Sequence, residues 1–84
     1  MDVTEPAVAS RELTDHERRI LRHVAAGGTN PAIAQHLYLS VDTVKSTLHS
    51  ACQKLGARNR AHAVALAAQW GFITLDHVVP VLRL

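Results

Sequence analysis

Three sets of side chains in this sequence have the types and the spacing to do chemistry. His49 and Cys52 stand one helical turn apart, which is half of a metal site. Ser40, Ser46 and Ser50 lie close to histidines, as a nucleophile lies close to its base. Lys45, Lys54, Arg58 and Arg60 fall within a stretch, Thr43 to Leu75, that contains no acid, and His49 and His62 add partial charge below neutral pH. A basic stretch of this kind suits a polyanion.

The first two sets fail on what accompanies them. No second ligand pair recurs at comparable spacing, and helical periodicity turns Cys52 toward the apolar side, so no metal is expected and Cys52 reads as a buried structural thiol. Neither a glycine elbow nor an orienting acid goes with the serines, and a domain this small offers no deep cleft, so neither catalysis nor a cofactor is expected. The third set is the one to carry forward. The net charge is only +2, but the acids collect near the start (Asp2, Glu5, Glu12, Asp15, Glu17), with Asp42 and Asp76 beyond.

The elements that must position these side chains belong to one small domain. A chain of 84 residues buries about 60–65% of its unfolded surface, enough for a few short helices around a modest core. Alanine supplies much of the apolar content and aromatics are few (Tyr38, Trp70, Phe72), which favours closely packed helices. A single cysteine permits no internal disulfide. No apolar run approaches the ~18 residues of a membrane span and no signal-peptide pattern opens the chain, so a cytoplasmic protein with no membrane partner is expected.

Residues 1–12 mix acids, Pro6 and small residues without periodicity and read as a flexible arm. Thr14-Asp15-His16-Glu17 is a capping box that starts a first helix, with Ile20, Leu21, Val24 and Ala25 following at helical spacing. That helix runs over Asp15–Ala26 and stops at Gly27-Gly28. Asn30 as N-cap with Pro31 at the first helical position opens a second, short helix ending near Leu37. Tyr38-Leu39 connect it to a third, capped by Ser40 and ended by Gly56. On this third helix Val41, Val44, Leu48, Ala51, Cys52 and Leu55 share one sector, and Asp42, Ser46, His49, Ser50 and Gln53 lie opposite, with Lys45 and Lys54 at the boundary. Asn59 caps a fourth helix through about Trp70, Gly71 ends it, and Phe72 and Ile73 fold back as an apolar plug. The tail, residues 74–84, is apolar.

The expected fold is therefore all-α. A short helix, a tight turn and a second helix with a polar outer face make a helix-turn-helix. In that plan Asn30–Leu37 braces and Ser40–Leu55 reads a major groove about 12 Å wide. Small exposed residues at the start of the third helix (Thr43, Ser46, Thr47, Ser50) let the backbone come close, and Lys45 and His49 are long enough to reach bases or phosphates. Arg58 and Arg60 sit against the positive end of the fourth helix, a mild cost that points to phosphate contact.

The motifs make the resemblance specific. Leu13-Thr14-x-x-Glu17, Ala26-Gly27-x-Thr29-Asn30-x-x-Ile33-Ala34, Leu39-Ser40-x-x-Thr43-Val44-Lys45, Lys54-Leu55-Gly56 and Arg58-Asn59-Arg60-x-x-Ala63-Val64 follow in order. Over residues 13–73 the chain resembles the LuxR-type (GerE/NarL-like) DNA-binding domain. The resemblance implies a tetrahelical helix-turn-helix bundle, here with a short C-terminal extension, that binds double-stranded DNA as a homodimer and regulates transcription. It implies groove contacts at Lys45, Ser46 and His49, phosphate contacts at Thr43 and Asn30, and a dimer contact on the fourth helix, which carries Val64, Ala67 and Ala68. With Ser50, Gln53, Arg58 and Arg60 these make up the expected DNA surface. The chain departs from the family at Thr47, where His is usual, at Ala32, where Glu is usual, and at Ala51 and Cys52, where bulky aliphatics are usual. The family's upstream regulatory domain has no room here, so a stand-alone effector or an excised C-terminal domain is expected. A different class of function, a protein-interaction module, would use the scaffold or the apolar tail (Val78, Val79, Val81, Leu82, Leu84) to bind another regulator or RNA polymerase.

Overall fold

A computed structural model describes residues 12–74. Most of the proposed arm and almost all of the apolar tail, including the part that motivates an interaction module, lie outside the described residues. Within them the chain forms four helices: α1 (Asp15–Ala25), α2 (Asn30–Leu37), α3 (Val41–Leu55) and α4 (Arg60–Gln69). There is no strand among the described residues, so the all-α expectation holds.

Local chemistry sets most helix ends. The capping box of α1 forms in both directions: the Glu17 amide donates to Thr14 Oγ1 at 3.0 Å, and the Thr14 amide donates to Glu17 Oε1 at 2.9 Å. Ser40 caps α3 by accepting from the Thr43 amide at 3.0 Å, and Asn59 caps α4 by accepting from the His62 amide at 2.8 Å. Gly56 ends α3 in the left-handed region at φ 71°. At the end of α2 the same conformation is taken by Tyr38, at φ 59°, where a side chain normally costs about 1–2 kcal/mol.

One end departs from expectation. The N-cap of α2 is Thr29, whose hydroxyl accepts from the Ala32 amide at 3.3 Å. Asn30 is thereby the first helical residue and Pro31 the second. Proline remains harmless there, because the first four amides of a helix have no partner within it. The Asn30 carboxamide instead accepts from Arg60 on α4, a contact that local spacing does not reveal.

The core gathers one stripe from each helix: Ile20 and Leu21 of α1, Ile33 and Ala34 of α2, Val44, Leu48, Ala51 and Leu55 of α3, Ala63 and Ala67 of α4. Leu13 and Ile73 close its ends, as the plug at Phe72-Ile73 anticipates. Alanines on α4 allow close approach to α1 and α3, since Ala63 and Ala67 are wholly buried. Gly28 serves the same purpose at the α1–α2 turn. A Cβ there would meet the His23 carbonyl at 3.0 Å and Ile33 Cγ1 at 3.1 Å.

Two members of the α3 apolar sector sit less deeply than the helical wheel places them. Val41, the first residue of the helix, is 39% exposed. Cys52 is half-buried at the core margin. Phe72 is also half-buried, beneath the Arg18 guanidinium, which lies 4.9 Å from the ring centroid.

Candidate nucleic-acid interface

The outer face of α3 carries a row of exposed polar side chains. Thr43, Lys45, Ser46, His49 and Gln53 are all exposed. Spaced at i, i+1, i+4 and i+8, Lys45, Ser46, His49 and Gln53 follow one side of the helix for about 12 Å at 1.5 Å per residue. That length compares with the width of a DNA major groove. Val44, Leu48, Ala51 and Leu55 anchor the opposite side, so the stripe is held rigidly. At its start, Ser40 Oγ donates to Thr43 Oγ1 at 2.8 Å, which ties the Thr43 side chain into the cap.

Ser50 does not belong to this stripe. It is half-buried, and its hydroxyl donates to Glu17 Oε2 at 3.0 Å. Lys54, one turn further on, donates to Glu17 Oε1 at 2.9 Å. Residues four apart on α3 thus converge on one carboxylate of α1. Glu17 is only 5% exposed and satisfies a helix cap, a serine and a lysine together. Burial pushes its carboxyl up, but the Thr14 amide, Lys54 and Ser50 together bring it below the usual carboxylate range. The capping box marks Glu17 in the sequence, and the Ser50–Lys54 spacing is the only signal that it would also be an inter-helix anchor.

The cations divide in the same way. Lys54 and Glu17 form the one ion pair among the described residues, while Lys45 and Arg58 stand exposed. Arg60 is half-buried, with Nη1 donating to Asn30 Oδ1 at 3.0 Å and Nη2 to the Gly28 carbonyl at 3.3 Å. Both acceptors are neutral, so its charge is held in place without being cancelled. The Arg58 amide donates to His62 Nδ1 at 3.1 Å, which fixes the approach to α4.

Of the three residues expected at a dimer contact, Ala67 is wholly buried and cannot meet a partner. Val64 and Ala68 are half-buried, beside exposed Ala61 and Ala65. Val64 also lines an open groove of about 620 Å³ between the end of α1, the start of α2 and the start of α4.

Two further groups bear on the chemistry. Burial pushes the Cys52 thiol up, against the opposing pull of Arg60. His23 and His36 join α1 to α2 with ring centroids 4.9 Å apart. Burial, then the neighbouring His36, Arg19 and Arg22, holds His23 below the ordinary imidazole value. No helix among the described residues is long and apolar enough to cross a membrane.

Comparison with known proteins agrees with this architecture. Residues 11–67 match the family model described as bacterial regulatory proteins, luxR family. The chain is 44% identical over 66 residues to the transcriptional regulatory protein YdfI of Bacillus subtilis (strain 168), covering 79% of this chain and 31% of that protein. It is 43% identical over 61 residues to the uncharacterized transcriptional regulatory protein YvfU of the same strain, covering 73% of this chain and 30% of that protein. It is 44% identical over 55 residues to the probable transcriptional regulatory protein NarL of Mycobacterium tuberculosis (strain ATCC 25618 / H37Rv), covering 66% of this chain and 26% of that protein. The chain therefore spans less than a third of each of these relatives. No solved structure matches it. With a match over most of its length, and with the four helices, caps and turns that the motifs require, the chain belongs to the luxR family of bacterial regulatory proteins.

Proposed function

We propose that this chain binds duplex DNA with sequence preference, as a homodimer, and thereby regulates transcription. The observation that carries the proposal is the exposed stripe Lys45, Ser46 and His49, anchored from behind by Val44 and Leu48. A rigid helix with a cation, a small hydroxyl and an imidazole facing outward can enter a major groove and meet base edges there. Gln53 extends the stripe. Thr43 and Arg58, together with Asn30 at the start of α2 and Arg60 at the start of α4, supply the phosphate contacts that set its register. Val64 and Ala68 form the dimer contact on α4, where small neighbours let two helices approach closely.

The test is an anisotropy titration of the purified chain against duplexes selected from a random pool. Enrichment of paired, symmetry-related half-sites, with affinity falling steeply as salt rises, is the expected result. Binding that is indifferent to both sequence and salt would refute the proposal.

A further inference from the structure

The contact between Arg60 and Asn30 does more than join two helices. An arginine side chain has only donors, so the Asn30 group facing it must be the oxygen, and this chemistry settles the flip of the carboxamide. The other end of that carboxamide, a nitrogen with two hydrogens, has no hydrogen-bond partner among the described residues. Arg60 is itself braced by a second bond to the Gly28 carbonyl, in a tight turn where a Cβ at Gly28 would lie 3.0 Å from the His23 carbonyl. Asn30 and Arg60 both line the open groove at the surface, so the free amide is within reach of a ligand.

We propose that Arg60 is a positioning residue for DNA: it orients the Asn30 carboxamide so that Nδ2 donates to a backbone phosphate. This rests on the DNA reading above and alters one part of it, since Arg60 then works through Asn30 and not by touching a phosphate itself. The sequence-based expectation treats the two residues as independent phosphate contacts; the structure makes them one device.

A double-mutant cycle on the full chain tests the link, using a selected duplex at several salt concentrations. Asn30→Ala and Arg60→Met should each weaken binding about three- to tenfold, the worth of one hydrogen bond. The double variant should be no weaker than Asn30→Ala alone. Arg60→Lys should restore most of the loss, because an ammonium also donates to the Asn30 oxygen. The slope of log affinity against log salt should not drop by a full contact in Arg60→Met. Additive losses, or a slope lower by about 0.9, would mean that Arg60 neutralises a phosphate directly and would overturn the proposal.

Asn30→Asp keeps a partner for Arg60, and so keeps the turn, while removing the donor. It should melt no lower than the parent yet bind at least tenfold more weakly; unchanged binding would also overturn the proposal. Lys45→Ala is the control. If it weakens binding while the Asn30 and Arg60 variants do not, only the positioning role fails. If the parent chain binds no duplex at all, the DNA reading fails with it.

Discussion

The two halves of α3 carry polar side chains of similar kind and use them differently. In the first half, Lys45, Ser46 and His49 are exposed, and their side chains make no hydrogen bond or ion pair among the described residues. In the second half, Ser50 and Lys54 are drawn inward onto Glu17. The difference follows from where α1 crosses. A carboxylate buried to 5% exposure must be paired or protonated, and α3 supplies the pairing from the turns that pass over it. The two halves are complementary: one is anchored, so the other is presented in a fixed orientation.

The sharpest way to break this division is at the anchor. Glu17→Ala removes half of a capping box, the ion pair to Lys54 and the bond from Ser50. It should destabilise the fold by about 2–4 kcal/mol, measured by urea denaturation. A loss below about 1 kcal/mol would show that the anchor is dispensable.

Lys45→Ala should do the opposite: a loss of about 1–3 kcal/mol in DNA affinity, with the denaturation midpoint unchanged. A shift in the midpoint with affinity kept would place Lys45 on the structural side of the helix.

Ser50→Ala sharpens the boundary between the halves. It should lower stability by about 1 kcal/mol and leave affinity at saturating fold unaltered. If DNA binding fell as it does for Lys45, the second half of α3 would belong to the interface after all.

The smallest expected effect is that of mild acid. His23 has a lowered value in the folded chain, so the unfolded chain takes up its proton first. Its contribution is intact above the ordinary imidazole pKa of about 6.5 and is lost as pH falls below it. Glu17 is also lowered, so its contribution is present above the usual carboxylate value and is lost at more acidic pH. Thermal melts should therefore fall gently between pH 7 and 5 and more steeply below. His23→Gln should remove the first decline only; a melting temperature that rises on mild acidification would contradict the His23 assignment.

Much of this was legible in the residues. Thr14, Ser40 and Asn59 cap their helices as their types and positions indicate, and Gly56 ends α3. The exposed positions of Ser46 and His49 follow from helical periodicity alone, which places Lys45 at the boundary of the same face. What was misread shares one feature. Ser50 looked like part of a reading face, Asn30 like a cap, Ala67 like a dimer contact and Val41 like core, and each depends on a neighbouring helix or on the lack of one.

Caps, glycine stops and the amphipathic stripe were determined by the sequence itself, because they rest on hydrogen bonds and side-chain directions within three or four residues of one another. The anchor at Glu17 and the Arg60–Asn30 contact join residues 33, 37 and 30 positions apart. Only the packing of the four helices could decide those. A side chain of mixed character takes the role that the helix across from it leaves open: Ser50 faces a buried carboxylate and turns inward, while Ser46, one turn earlier, faces none and stays free.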